Sequence, residues 1–140
     1  MAEHPKEYRA RVEAALRSID RLGFYDGYVP EDVEKDERGF IRPYVVLHMG
    51  SGDEVPERDM SNRVDLDGIR LDFQTTSVAA SAAVCAAVDY DVSRALTNLE
   101  LGNSHVVPNP DGFSQEPPLR DSSETPARFM SPRQWRLETT

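Results

Sequence analysis

The chain has 140 residues, 39% of them hydrophobic, and a formal net charge of −9. That charge argues against a conventional nucleic-acid binder and against docking on an anionic membrane, since both need a basic footprint. The length reads as one domain over residues 1–140, and the apolar fraction, below the usual ~45–50%, predicts a modest core with long polar loops or one completed by neighbouring copies.

Residues 5–22 predict a helix. Tyr8, Val12, Ala15, Leu16, Ile19 and Leu22 recur at spacings of three and four, while Arg9, Arg11, Glu13, Arg17 and Arg21 fall largely on the other side. Pro5 suits the first turn and Gly23 the C-terminal cap. Residues 24–30 carry three aromatics around Asp26-Gly27, a turn signal, and read as an extended or hairpin-like segment with partly buried rings. Glu31, Asp32, Glu34, Asp36 and Glu37 then make residues 31–38 strongly acidic, and such a run reads as a mobile solvated loop.

The run Gly39 to Leu47 predicts a strand over Arg42–His48, with Pro43 at its start because proline cannot donate to a ladder. Gly50-Ser51-Gly52 is expected to end it. A second acidic loop is expected over 53–59, with Asp53, Glu54, Glu57 and Asp59. Asp67-Gly68 reads as a turn within a strand region over Val64–Thr75, where Ile69, Leu71 and Phe73 alternate with Arg70, Asp72 and Gln74. Ser77 is the expected N-cap of a second helix over Val78–Leu99, with Val78, Ala82, Cys85, Val88, Val92 and Leu96 as its stripe and Gly102 closing the region. Six of the ten prolines fall in the last forty residues. Short strands are expected there around His105-Val106-Val107 and Trp135-Arg136-Leu137.

No motif nominates catalysis. His4, His48, His105 and Cys85 share no ligand spacing, and Cys85 on a helix stripe reads as a small buried hydrophobe. Asp65, Asp67 and Gly68 miss the calcium-loop spacing. Asp89 and Asp91 lie two apart on a helix and point to different sides. Gly50-Ser51-Gly52 lacks the lysine of a phosphate loop, and no serine sits in a nucleophile motif. No enzyme activity, metal or cofactor is expected. The single cysteine fits a reducing compartment. The polar N-terminus reads as lacking a signal peptide, and the longest apolar stretch, Val78–Val88, is too short to span a bilayer.

The order of segments carries more than any one of them. An amphipathic helix leads to Gly27-Tyr28-Val29-Pro30. A charged loop enters Gly39-Phe40-Ile41-Arg42-Pro43-Tyr44-Val45-Val46-Leu47. Asp65-Leu66-Asp67-Gly68, a strand and an alanine-rich helix follow. The tail holds Arg120-Asp121-Ser122, Pro126-Ala127-Arg128-Phe129 and Pro132-Arg133-Gln134-Trp135-Arg136-Leu137. Over nearly its whole length the chain resembles the tail terminator proteins of long, non-contractile-tailed bacteriophages, particularly those infecting actinobacteria.

The resemblance implies an α+β fold, with a mixed, mainly antiparallel sheet flanked by two main helices. It implies a structural virion protein, assembled in the host cytoplasm, that forms a homo-oligomeric ring, typically a hexamer, at the head-proximal end of the tail. That ring would end polymerisation of the tail tube protein and dock the head–tail connector, with DNA passing through the pore without specific binding. An acidic lumen would repel phosphates and keep that passage smooth. One acidic loop, 31–38 or 53–59, would then line or rim the channel; the alternative is that both are solvated loops facing outward. A small α+β protein-binding module and another neck or head completion protein are the competing readings.

Overall fold

The computed structural model describes residues 5–49, 53–58, 64–101, 104–110, 117–123 and 126–138. Tyr8, Val12 and Leu16 recur every four residues and lie buried along one side of helix α1 (Pro5–Arg17). Complete burial of Val12 and Leu16 contributes about 1.5–3 kcal/mol each. The helix stops one turn earlier than its apolar spacing predicts. Ser18 Oγ donates to the Ala15 carbonyl (2.6 Å) and Arg21 takes a left-handed conformation (φ 59°). This turn packs Ile19 and Leu22 against the core from a new direction. Gly23, expected as the cap, begins strand β1 (Gly23–Asp26), where a Cβ would stand 3.2 Å from that of Tyr44.

Strand β1 pairs in parallel with β2 (Tyr44–Met49), and β2 pairs antiparallel with β4 (Val64–Ala79). The expected strand is thus present, with Pro43 just ahead of it. Its apolar run has a simple cause: β2 is covered on both faces. Val45 and Leu47 join one buried cluster, Tyr44 and Val46 the other.

The segment expected as a second acidic loop is a strand, β3 (Asp53–Arg58), paired antiparallel with β4; Asp59 lies outside the described residues, as do Gly50-Ser51-Gly52 and Gly102. Asp67-Gly68 is correspondingly no turn but an interior part of β4. Between the pairs Val55↔Gly68 and Glu57↔Asp65 the ladder shifts, with Leu66 and Asp67 facing Pro56 alone. A bulge opposite a proline, which has no N–H to give, accommodates both residues.

β4 also runs four residues past its expected end, because Thr76 to Ala79 pair with β9 and Thr76 to Val78 with β2 as well. That takes Ser77 and Val78 out of the second helix. The observed α2 is Ala82–Leu96, and Ser81 is its N-cap, Oγ accepting from Val84 N at 3.3 Å. Two short strands follow, β5 (Glu100–Leu101) with β6 (Ser104–His105), then β7 (Val107–Pro108) and β8 (Leu119–Asp121). The last strand, β9 (Arg128–Glu138), has eleven residues where three were expected. Pro132 sits inside it without breaking the ladder. Asn109 N donates to Gln134 O, so this side of β9 points outward, and Pro132 falls between the stretches paired with β8 and β7.

The architecture is α+β, as expected: α1 and α2 cover one face of a sheet ordered β1-β2-β4-β9-β7, mixed but mostly antiparallel. The main core joins Tyr8, Val12 and Leu16 to Val88, Val92, Leu96, Phe73, Trp135 and Leu137. Trp135, fully buried, donates from Nε1 to Thr75 Oγ1 (3.0 Å).

Candidate functional site

The acidic run 31–38 contains one apolar side chain, Val33, and that residue decides its structure. Val33 and Ile41 are buried in the second cluster, on the sheet face opposite the helices. Between them the chain closes a hydrogen-bonded turn rather than a mobile loop. Lys35 and Ile41 form an antiparallel bridge, Asp36 N donates to Phe40 O (2.8 Å), and Arg42 N donates to Glu34 O (2.9 Å). The Asp36 carboxylate accepts from the backbone of Arg38 (2.9 Å) and Phe40 (3.0 Å). Gly39 supplies the positive φ (84°) the turn needs. Glu31, Asp32, Glu34, Asp36 and Glu37 are all exposed, and Glu34 pairs with Arg42 at 3.2 Å. Of the neighbouring aromatics, Phe24 and Tyr25 are half-buried as expected, but Tyr28 is 73% exposed.

The structure does not bring the two acidic segments together. The turn lies beside the start of β2. The other segment lies beyond its end, where β3 and the first part of β4 form a two-stranded ribbon. Met49 pairs with Phe73, Asp53 with Arg70, and Arg70 with Glu138; residues 64–69 have only β3 beside them among the described residues. At the opposite end of the sheet, where Gly23 meets Pro43 and Tyr44, a groove of about 700 Å3 is lined by Arg17, Arg21 and Arg42 with Asp20 and Glu34.

Helix α2 carries a buried carboxylate that its neighbour Asp91 does not share. Asp89 follows Cys85 by one turn, on the core-facing side, and is 8% exposed. Arg133 of β9 meets it at 2.8 Å and also reaches Ser93. In the sequence, Asp89 stands out only beside Asp91. The signal for its partner was in the alternation Arg133, Trp135, Leu137, which puts the arginine on the face that receives α2. Next to the pair, Tyr90 is exposed. Cys85 donates its thiol to Ser77 O (3.3 Å), and burial pushes the thiol pKa up to about 11.

The uncovered part of the sheet is polar. His48, Gln74 and Gln134 stand side by side across three strands, and Arg136 pairs with Asp72 opposite it (2.9 Å). At the helix layer's edge, Arg9 binds Asp26 and the Met49 carbonyl (2.8 Å), fastening α1 to β1 and β2. The Arg9 hydrogen bond holds the Asp26 carboxyl below its ordinary range. Among the described residues no group of three His, Cys, Asp or Glu side chains could hold a metal ion, and no helix is long and apolar enough to cross a membrane. These surfaces present backbone edges, charge and exposed rings.

No protein-family model matches the chain, and no curated protein matches it. Among solved structures it is similar to a chain of the virion of the native gene transfer agent (GTA) particle, with a TM-score of 0.54 and 20% identity over 95% of this chain and 94% of that one. The likeness is one of fold, and it spans both chains almost end to end.

Proposed function

We propose that this chain is a structural virion protein, a tail terminator. Copies form a ring, a hexamer in the simplest case, at the head-proximal end of a non-contractile tail. The ring ends growth of the tube and presents the docking surface for the head–tail connector. The observation that supports this most is the near end-to-end likeness in fold to a chain of a virion particle, joined to the ordered sequence pattern. The surfaces are compatible with it. A ring needs two different faces on each copy, and the two ends of this sheet differ in shape, one a two-stranded ribbon and the other a groove. The role requires assembly, not catalysis, and no cofactor.

The test is a tube-assembly reaction. Added to polymerising tail tube protein, the chain should shorten the tubes and leave a ring at one end in negative-stain images. Tubes of unchanged length with bare ends, and a chain that stays monomeric at every concentration, would instead favour a small protein-binding module.

A further inference from the structure

Strands β1 and β2 are parallel, so the chain between them must return from one end of the sheet to the other. Residues 28–42 make that crossing over the face opposite the helices, with the acidic turn in the middle. Among the described residues, every hydrogen bond and ion pair of this segment is made within the segment itself. Asp36 N donates to Phe40 O, Gly39 N to Asp36 O (3.1 Å) and Arg42 N to Glu34 O, the Asp36 carboxylate takes its two backbone donors, and Glu34 meets Arg42. The backbone bonds that tie the flanks to the sheet lie just outside it, from Gly27 N to Leu47 O (2.8 Å) and from Gly23 N to Pro43 O (3.1 Å). Apolar side chains hold the segment down: Val33 and Ile41, buried, and Val29, half-buried, packed with Tyr44, Val46 and Val78. Its two aromatic rings add little, since Tyr28 is 73% exposed and Phe40 41%.

We propose that residues 28–42 are a strap that opens as one unit, hinged at Gly27 and Pro43, and uncovers Tyr44, Val46 and Val78 while the rest of the chain stays folded. A segment comes away alone when few contacts tie it to the body and its own hydrogen bonds travel with it. Both conditions hold here. Lifting the strap breaks no polar contact with the sheet, and β2 stays paired with β1 and β4. Gly27 suits a hinge, because its φ is positive (71°) and no neighbouring atom lies within 4 Å of where a Cβ would stand. The strap controls what this face of the sheet shows. Closed, it turns its acids outward, and the rest of the face is polar, with His48, Gln74 and Gln134 side by side. Open, it bares three large apolar side chains that are otherwise only 3–5% exposed. The inference concerns the free chain and stands whether or not copies form a ring.

The experiment is native-state hydrogen exchange on the full chain, followed amide by amide. Asp36, Gly39 and Arg42 report on the strap, and the β4–β9 ladder reports on global unfolding. The three strap amides should exchange together, about a hundredfold or more faster than the best-protected ladder amides. Leu96→Ala, in the main core on the other face of the sheet, separates the two events. It should speed the ladder amides about thirtyfold or more and leave the strap amides within a factor of about two, because the body is folded both before and after the strap opens. Val33→Asp with Ile41→Asp should hold the strap open. Its amides then lose protection, a hydrophobic dye binds the bared surface, and a cooperative urea transition remains. Strap amides as protected as the ladder, or accelerated with it by Leu96→Ala, overturn the inference, as does a double variant that binds no dye or has no cooperative transition. None of these results touches the ring reading, which the tube-assembly reaction tests.

Discussion

Cys85 shows how burial sets chemistry at a single residue. It is fully buried between α2 and β4, and its thiol is held near pKa 11, against about 8.5 for an unfolded cysteine. The folded value is the higher one. Its contribution to stability is therefore complete below about pH 8.5 and is lost as pH rises towards 11, by up to roughly 3 kcal/mol. The urea midpoint of the wild type should fall across that window more steeply than that of Cys85→Ala, which removes this group while leaving the other alkaline titrations in place. Parallel curves would show that the thiol titrates alike in both states. Asp26 works in the opposite sense: its folded pKa is lowered, so the stability it brings through Arg9 is lost as pH falls. The pair is more than a third exposed on the aspartate side, so solvent screening keeps that contribution small.

At the scale of elements, α2 is held to the sheet by two kinds of contact. Cys85, Val88, Val92 and Leu96 supply apolar area, and Asp89 fixes the helix's position over β9 by binding Arg133. Removing one partner of a largely buried pair leaves a charge with no compensation. Asp89→Ala should cost about 3 kcal/mol in urea denaturation, while Asp89→Leu with Arg133→Leu should recover most of it. A loss no larger than that of an exposed surface change would mean that water already screens the pair. The same helix shows where reading by periodicity ends. Its apolar spacing was visible, but Ser77 and Ser81 are both good caps in isolation. Strand pairing of Ser77 with Val45 and Ser131 chose between them. Likewise Gly23 looked like a helix cap, and the close approach of Tyr44 made it a strand residue instead.

For the whole molecule, the charge distribution matters more than its total. The acidic turn and the β3–β4 ribbon sit at opposite ends of the sheet. On the ring reading proposed above, the turn is the candidate for the rim of a channel. Glu34 and Asp36 already serve the turn itself, through Arg42 and the backbone of Arg38 and Phe40. Reversal to lysine at Glu31, Asp32 and Glu37 is therefore the cleaner test. Phage carrying it should assemble complete tails yet inject DNA poorly, because added positive charge would retain phosphates in the pore. Normal infectivity would place the turn on the outside of the ring.

The sequence by itself determined the elements whose cause is local or periodic. Tyr8, Val12 and Leu16 mark a helix by spacing alone, the apolar run from Tyr44 to Leu47 marks a strand, and Pro43 marks its start. The order of those segments was enough to suggest an α+β virion protein. Tertiary structure alone decided what depends on a distant partner. Residues 53–58 are a strand because β4 lies beside them, Asp89 is buried because Arg133 reaches it from forty-four residues away, and the turn at 31–41 is ordered because Val33 and Ile41 close the second cluster. Charge and Asp-Gly signals describe a segment's own tendency to meet water or to bend. They carry no information about which strand will pair with it, and pairing wins when it satisfies a whole ladder of backbone groups.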